Sequence, residues 1–250
     1  MEKVQLPDYR VYHYRPMEIL FYGAQGVGII ALLAYVFYRS PIAILLLLPA
    51  IYPFLLYRKK SIIQKRKEEL TLQFREMMNS VIAGLQAGYS IENAFLHARE
   101  DLVLLYGTEA LIVTELTLLS KELRNNISLE SILAGLSKRC EITDIIEFAE
   151  VFTIAKRSGG NLPGILKNTA DLIADKIEVR REIMTMISAK KMEQNIMNVV
   201  PFGIILYIDA TSPGFFDCLY HNLFGVILMS VLLILYLIAY LLADRILSIQ

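Results

Sequence analysis

Two glycine-containing segments of this 250-residue chain have shapes that could bind a nucleotide or a phosphate group. Residues 26–31 read GVGIIA and fit the pattern G-x-G-x-x-A, and residues 158–161 read SGGN. A dinucleotide site needs a preceding strand and a later acidic residue, and a phosphate loop continues into Gly-Lys-Ser/Thr. Neither segment meets its requirement. We therefore interpret the first as small residues that let membrane helices approach each other, and the second as a boundary between two helices.

Side chains that could perform acid–base or metal chemistry are few and scattered. Glu147 and Glu150 could act as a pair, but no histidine or third carboxylate is near them, so a solvated helix face is favoured. The histidines and cysteines are widely spaced: His13, His97 and His221, and Cys140 and Cys218. This spacing gives no zinc motif, no CxxC pair and no disulfide framework. We expect no catalytic, metal-binding or cofactor-binding residue, and a protein that is not an enzyme.

The composition indicates a membrane protein. Hydrophobic residues make up 55% and charged residues 20%, with a mean hydropathy of +0.47, against about 45–50% and about 25% in ordinary globular chains. Four uncharged stretches carry the excess: residues 19–38, 41–57, 194–208 and 222–243. The third would span only about 22 Å as a helix, so Lys190 and Lys191 must extend toward the headgroups. We predict four transmembrane helices.

The distribution of basic residues predicts the orientation. Segment 58–193 contains 20 of the 25 Lys and Arg residues, which places it in the cytoplasm under the positive-inside rule. The predicted organisation is a cytoplasmic N-terminal segment (1–18), two transmembrane helices (19–57), a cytoplasmic helical domain (58–193), two transmembrane helices (194–243) and a short tail (244–250). Thiol reagents should then reach Cys218 from outside the membrane and Cys140 from inside.

The cytoplasmic segment reads as an antiparallel bundle of about six helices. Apolar residues recur at helical spacing, as in Leu70, Phe74, Met77 and Val81, and no segment alternates as a strand does. The following helix has an apolar face that we expect to extend to Leu105. The sixth helix begins near Leu162 and is expected to continue into the third transmembrane helix.

The domain contains an internal repeat with an offset of 38 residues. GLQAGYSIENAF (84–95) aligns with ELRNNISLESIL (122–133). The matching pairs are Gly88 with Asn126, Ser90 with Ser128, and Glu92 with Glu130. Asparagine tolerates a positive φ better than other residues with side chains, so both copies can form the same turn before a serine-capped helix. The two acids could contact a partner, or they could only complement helix N-termini.

These segments, with FAEVFTIAKRSGGNLPGIL and the later Pro201, resemble the type II secretion system F-domain family. The layout is similar to that of the tight adherence proteins B and C of the Flp-type pilus machinery. The residues that carry the resemblance are Gly88, Ser90, Asn126, Ser128, Gly159, Gly160, Leu162 and Leu166. Asn126 departs from the glycine that is usual at its turn.

The resemblance implies a multi-pass platform protein in the cytoplasmic (inner) membrane of a bacterium or archaeon. It implies four kinds of partner: a hexameric secretion ATPase, pilin subunits, an identical or paralogous platform subunit, and membrane lipid. Neither ATP nor nucleic acid is expected to bind this chain. Glu92 and Glu130 are the candidate contacts with a partner, beside the alternative that they only complement helix N-termini. The alternative is a membrane-anchored receptor or scaffold whose cytoplasmic bundle binds a signalling protein.

Overall fold

The computed structural model describes residues 7–12, 14, 16–158, 161–212, 214–217, 219–220 and 222–248. Every regular element among these residues is helical, as predicted. They form two compact units. We call residues 7–12 and 59–180 the helical domain, and residues 14–58 and 181–248 the apolar unit. Gly159, Gly160 and Cys218, three residues of the sequence predictions, lie outside the described residues.

The described helices follow one another with short connections. In chain order they are α1 (Pro16–Tyr38), α2 (Pro41–Leu47), a 3-10 turn (Leu48–Ala50), α3 (Ile51–Gln86), α4 (Ile91–Tyr106), α5 (Leu111–Arg124), α6 (Leu129–Cys140), α7 (Thr143–Ser158), α8 (Leu162–Thr211) and α9 (Leu223–Ser248). Helices α3 and α8 each contribute residues to both units. The expected continuation of the sixth bundle helix into the apolar stretch is therefore present as α8, which runs through Pro201 without a break.

Three helical segments in the described part of the chain are long and apolar enough to cross a membrane. They are Pro16–Tyr38, Ile42–Gln86 and Phe224–Ile246. The predicted third span, residues 194–208, lies within α8 and is not among them. It includes the polar residues Gln194, Asn195 and Asn198, which lower its hydropathy. The length and composition of the helices thus support membrane association, and the prediction of four spans is not confirmed.

The apolar unit brings one end of α8 against α1 and α9. The ring of Phe202 on α8 lies 6.4 Å from that of Phe37 and 5.3 Å from that of Tyr236, measured between centroids. The Tyr236 hydroxyl also donates a hydrogen bond to the carbonyl oxygen of Asn198 at 3.1 Å. Residues 198–202 of α8 therefore pack between the end of α1 and the middle of α9.

The helical domain has one hydrophobic core, built from the apolar faces of α3 to α8. Its largest fully buried aromatic side chains are Phe74, Phe95, Phe148 and Phe152. The Phe74 and Phe148 rings meet edge to face at 5.3 Å between centroids. The apolar face expected for α4 ends earlier than predicted, since Leu102 is buried and Leu105 is 61% exposed. Leu105 lies in the last turn of α4, beyond the reach of this core.

The internal repeat is present in the packing as well as in the sequence. Positions 38 residues apart are buried in both copies: Phe74 and Ile112, Met78 and Leu116, Val81 and Leu119, Phe95 and Leu133, Ala98 and Leu136, and Leu102 and Cys140. Two buried pairs differ in chemistry: in the second copy Glu115 takes the position of Met77, and Ser120 takes that of Ile82. Cys140 is 0% exposed, so the expectation that thiol reagents reach it in the folded protein is wrong.

Helix α5 has no cap of its own. Its N-cap residue, Ala110, has no side chain that could accept a hydrogen bond. Instead the buried side chain of Gln73, on α3, accepts a hydrogen bond from the backbone N–H of Ile112 at 3.0 Å. The amide nitrogen of Gln73 donates in turn to Glu69 at 3.0 Å. The start of α5 is thus satisfied by a side chain from another helix.

Candidate functional site

The turn between α3 and α4 is a glycine cap of the Schellman type. Gly88 has φ of 90°. Its N–H donates to the carbonyl oxygen of Leu85 at 3.1 Å, and the N–H of Tyr89 donates to that of Gly84 at 3.0 Å. These two bonds satisfy carbonyl groups that the end of a helix leaves free, and they require the residue at Gly88 to adopt positive φ.

The turn between α5 and α6 has the same geometry. Asn126 has φ of 58°. Its N–H donates to Leu123 at 3.0 Å, and the N–H of Ile127 donates to Glu122 at 3.1 Å, which is the first pattern displaced by 38 residues. The predicted positive φ of Gly88 and Asn126 is therefore confirmed, and asparagine forms the turn that glycine forms in the first copy.

Each turn leads into a serine-capped helix, as the sequence indicates. The hydroxyl oxygen of Ser90 accepts a hydrogen bond from the backbone N–H of Asn93 at 3.3 Å. That of Ser128 accepts from Ser131 at 3.4 Å. At the start of α8, the side chain of Asn161 accepts from the N–H of Gly164 at 3.1 Å. These caps fix the directions in which the first turns of their helices project side chains.

The two motif leucines at the start of α8 pack against the core. Leu166 is fully buried, and Leu162 is half-buried against the same cluster. Burial of these side chains holds the first turns of α8 on the helical domain. Their position in the structure is that of packing residues.

The two matching acids of the repeat meet at a single lysine that the sequence analysis did not identify. The Nζ atom of Lys156, in the last turn of α7, lies 3.1 Å from Glu130 Oε2 and 3.5 Å from Glu92 Oε1. The three side chains are between 25% and 45% exposed. We call them the Lys156 cluster. It joins the N-terminal turns of α4 and α6 to the C-terminal turn of α7.

The electrostatics of the Lys156 cluster follow from three helix ends. The pKa of Glu130 is lowered, first by a hydrogen bond from its own backbone N–H and then by Lys156. Carboxylates near the N-termini of α4 and α6, and a cation near the C-terminus of α7, each complement a helix dipole. Because the side chains are partly exposed, each ion pair stabilises the fold by only about 0–1 kcal/mol. The cluster keeps a net negative charge at the surface of the helical domain.

Two of the remaining chemical candidates, Glu147 and His97, are engaged in surface contacts, and His13 and His221 lie outside the described residues. Glu147 accepts a hydrogen bond from Lys176 at 2.6 Å, and the His97 ring stacks on Tyr89 at 4.6 Å between centroids. Within the described ranges, no three His, Cys, Asp or Glu side chains are grouped so that they could hold a metal ion. The arrangement of the Lys156 cluster suits binding to a positively charged surface of a partner.

Two sequence signals could have identified the residues that were missed. Lys156 lies in the motif segment AKRSGGN, next to the two repeated turns in the family pattern, and the two acids occupy matching places in the repeat. Glu115 is a charged residue on an otherwise apolar helix face, at the position equivalent to Met77. Neither signal indicates which side chain the residue contacts, because the contacting side chains lie on other helices.

Comparison with known proteins identifies the family. No curated protein and no solved structure matches the chain significantly. A family model described as Type II secretion system (T2SS), protein F, matches residues 77–209, which is more than half of the chain. The matched segment contains both repeated turns, the Lys156 cluster and the start of α8. The chain belongs to the type II secretion system protein F family.

Proposed function

We propose that this protein is the membrane platform of a type II secretion or Flp-type pilus system. In this role it couples a cytoplasmic secretion ATPase to the extraction of pilin subunits and the assembly of the filament. The observation that carries the proposal is the family match over residues 77–209. The protein itself is not an enzyme in this proposal; it transmits the work of an ATPase that hydrolyses ATP elsewhere. No observation favours the receptor or scaffold alternative.

We place four membrane spans around a cytoplasmic helical domain. The contacts at one end of the apolar unit support the fourth span. Arg39, between α1 and α2, pairs with Asp209 near the end of α8. Tyr220, just before α9, donates to the carbonyl oxygen of Val36, near the end of α1, at 2.7 Å. The ends of α1 and α8 and the beginning of α9 therefore meet, as expected if α8 leaves through the membrane and α9 returns.

The Lys156 cluster is our candidate contact with the ATPase. Its two carboxylates lie within 3.5 Å of one shared cation, and their exposed edges form an acidic surface. A partner that presents arginine or lysine side chains would match that surface. The competing explanation is that the same ion pairs serve only to hold α4 and α6 to α7.

A charge swap separates contact from scaffolding. The triple variant Glu92→Lys, Glu130→Lys, Lys156→Glu keeps two ion pairs around one central side chain but inverts their sign. We expect the variant to stay folded, by circular dichroism, and to lose co-purification with the ATPase. The matched control is the swap Glu147→Lys with Lys176→Glu, which inverts another ion pair of the same domain.

The outcomes are distinct. If the triple swap binds the ATPase as well as the unmodified chain, the cluster is not the contact surface, although the platform role could stand. If the triple swap and the control lose binding equally, the loss is not specific to the Lys156 cluster, and the cluster is not shown to be the contact surface. An ATPase and pilins encoded beside this protein would support the platform role, and their absence would oppose it.

Three further features of the proposal follow from the family resemblance. We assign the chain to the tight adherence branch, of type B or C, in the cytoplasmic membrane of a bacterium or archaeon. An identical or paralogous platform subunit is its expected partner within the membrane. Membrane lipid surrounds the apolar unit. Cross-linking in native membranes, followed by mass spectrometry, would identify the subunit partner and would oppose this assignment if only monomers were recovered.

A further inference from the structure

A buried tyrosine attaches the N-terminal residues 7–12 to the helical domain. The side chain of Tyr9 is 5% exposed and belongs to the core of that domain. Its hydroxyl group donates a hydrogen bond to Glu115 Oε1 at 2.9 Å. Its backbone N–H donates to the carbonyl oxygen of Arg139 at 3.2 Å. Terminal segments are ordered only where such contacts hold them, so Tyr9 is the anchor of this segment.

The acceptor of the Tyr9 hydrogen bond is a carboxylate in an unusual place. Glu115 on α5 is 4% exposed, and its other oxygen pairs with the guanidinium group of Arg139 on α6. Burial raises the pKa of Glu115 because the charged form loses hydration. In the first copy of the repeat the same position holds the buried Met77. An apolar residue is thus compatible with this hairpin, and a buried charge there needs another reason.

The segment makes further contacts, among them two ion pairs of the exposed Arg10 side chain. Arg10 pairs with Asp8 at 2.9 Å and with Glu141 at 3.6 Å. The guanidinium group of Arg66 lies 5.3 Å from the centroid of the Tyr12 ring. Ion pairs and cation–π contacts at exposed sites contribute little. Recognition of the segment therefore depends on Tyr9.

We propose that Glu115 and Arg139 form a tyrosine-specific socket for an extended peptide segment. The occupant is the chain's own segment 7–12, which acts as a strap that detaches as a unit. Departure of the strap leaves Glu115 paired with Arg139, so the emptied socket retains a compensated charge and the domain stays folded. The strap is then an internal ligand, and not a part of the fold that the domain needs.

Peptide binding tests the socket directly. The full chain lacking residues 1–12, purified in detergent, is titrated with a fluorescent peptide of residues 7–12. We expect saturable binding that weakens at least about tenfold when the peptide carries Tyr9→Phe, because the buried carboxylate loses its donor. A Val11→Ala peptide is the control, because Val11 is 44% exposed, and it should bind like the unmodified one. The intact chain, whose socket is filled, should bind at least about tenfold more weakly than the truncated one.

Two results would overturn the proposal: no binding of the peptide by a folded truncated chain, or equal binding of the Tyr9→Phe peptide. The double variant Glu115→Met, Arg139→Met in the truncated chain removes both charges of the buried pair, so neither is left uncompensated. It should abolish binding without unfolding the domain. Hydrogen exchange on the intact chain provides a second measurement. The amide of Tyr9, which bonds to the carbonyl oxygen of Arg139, should exchange at least about tenfold faster than the amides of α5 and α6. Equal exchange would mean that the segment opens only when the domain unfolds.

Discussion

Replacing Gly88 with alanine should destabilise the turn between α3 and α4 through the backbone alone. At φ of 90° a residue with a Cβ atom is strained, yet that atom would meet nothing within 4 Å. The cost is therefore that of the left-handed conformation, about 1–2 kcal/mol. Gly88→Asn should cost less than Gly88→Ala, because asparagine already occupies the equivalent position in the second copy.

The matching change at the second turn, Asn126→Gly, should have almost no effect on stability. Asn126 already adopts φ of 58°, and glycine adopts that conformation without strain. Asn126→Gly should therefore change the free energy of unfolding by only a few tenths of a kcal/mol, because relief of strain and the greater freedom of the unfolded chain oppose each other.

Hydrogen exchange of the intact protein in detergent is the assay for both turns. The amide of Tyr89 bonds across the first turn and that of Ile127 across the second. A loss of 1–2 kcal/mol corresponds to exchange about 5–30-fold faster. The reasoning is refuted if Gly88→Ala leaves the exchange of Tyr89 unchanged. It is also refuted if Asn126→Gly accelerates the exchange of Ile127 as much as Gly88→Ala accelerates that of Tyr89.

Four other predictions concern single residues: Gly135, Glu130 and Cys140 of the helical domain, and Cys218. Gly135→Ala should stabilise α6 by about 0.5–1 kcal/mol, because the added Cβ would meet only the Arg139 side chain at 3.6 Å; a lower urea midpoint would contradict this. The pKa of Glu130 is lowered in the folded chain, so its contribution to the free energy of unfolding is present above the pKa of the unfolded chain and is lost as the pH falls through the folded pKa. In urea unfolding, Glu130→Gln should make the free energy of unfolding depend less on pH in that acidic range. An equal pH dependence in both proteins would contradict this. Cys140 is fully buried and its thiol pKa is raised by burial, so a maleimide should label it only after denaturation. The predicted topology requires Cys218 to react with an impermeant reagent in intact cells, and protection of Cys218 would oppose four spans.

The features predicted well from the sequence are those that depend on neighbouring residues. A Schellman turn needs one residue with positive φ and a following cap, so Gly88 with Ser90 and Asn126 with Ser128 are readable in the chain. The continuity of α8 was also readable, because Asn161 caps its start and no Pro or Gly occurs between Gly164 and Pro201.

The features missed depend on residues that are distant in the sequence. The partners of Glu115 are 106 positions before it and 24 positions after it, and Lys156 lies 64 positions from Glu92. Periodicity assigns a residue to a helix face but does not say which helix faces it. For the same reason the apolar Leu105 was expected to be buried, although the core ends one turn before it.

The bond between Gln73 and the start of α5 has a consequence for folding. A duplicated hairpin could fold and unfold as two independent modules, as stacked repeats do. Here a side chain of the first copy accepts a hydrogen bond from the first turn of the second copy. Neither copy alone therefore has both the donor and the acceptor of this bond. Removal of the Gln73 side chain would leave a buried backbone N–H without an acceptor. The substitution would be in α3, but it would destabilise the start of α5. The two halves of the duplication should accordingly melt in one cooperative transition.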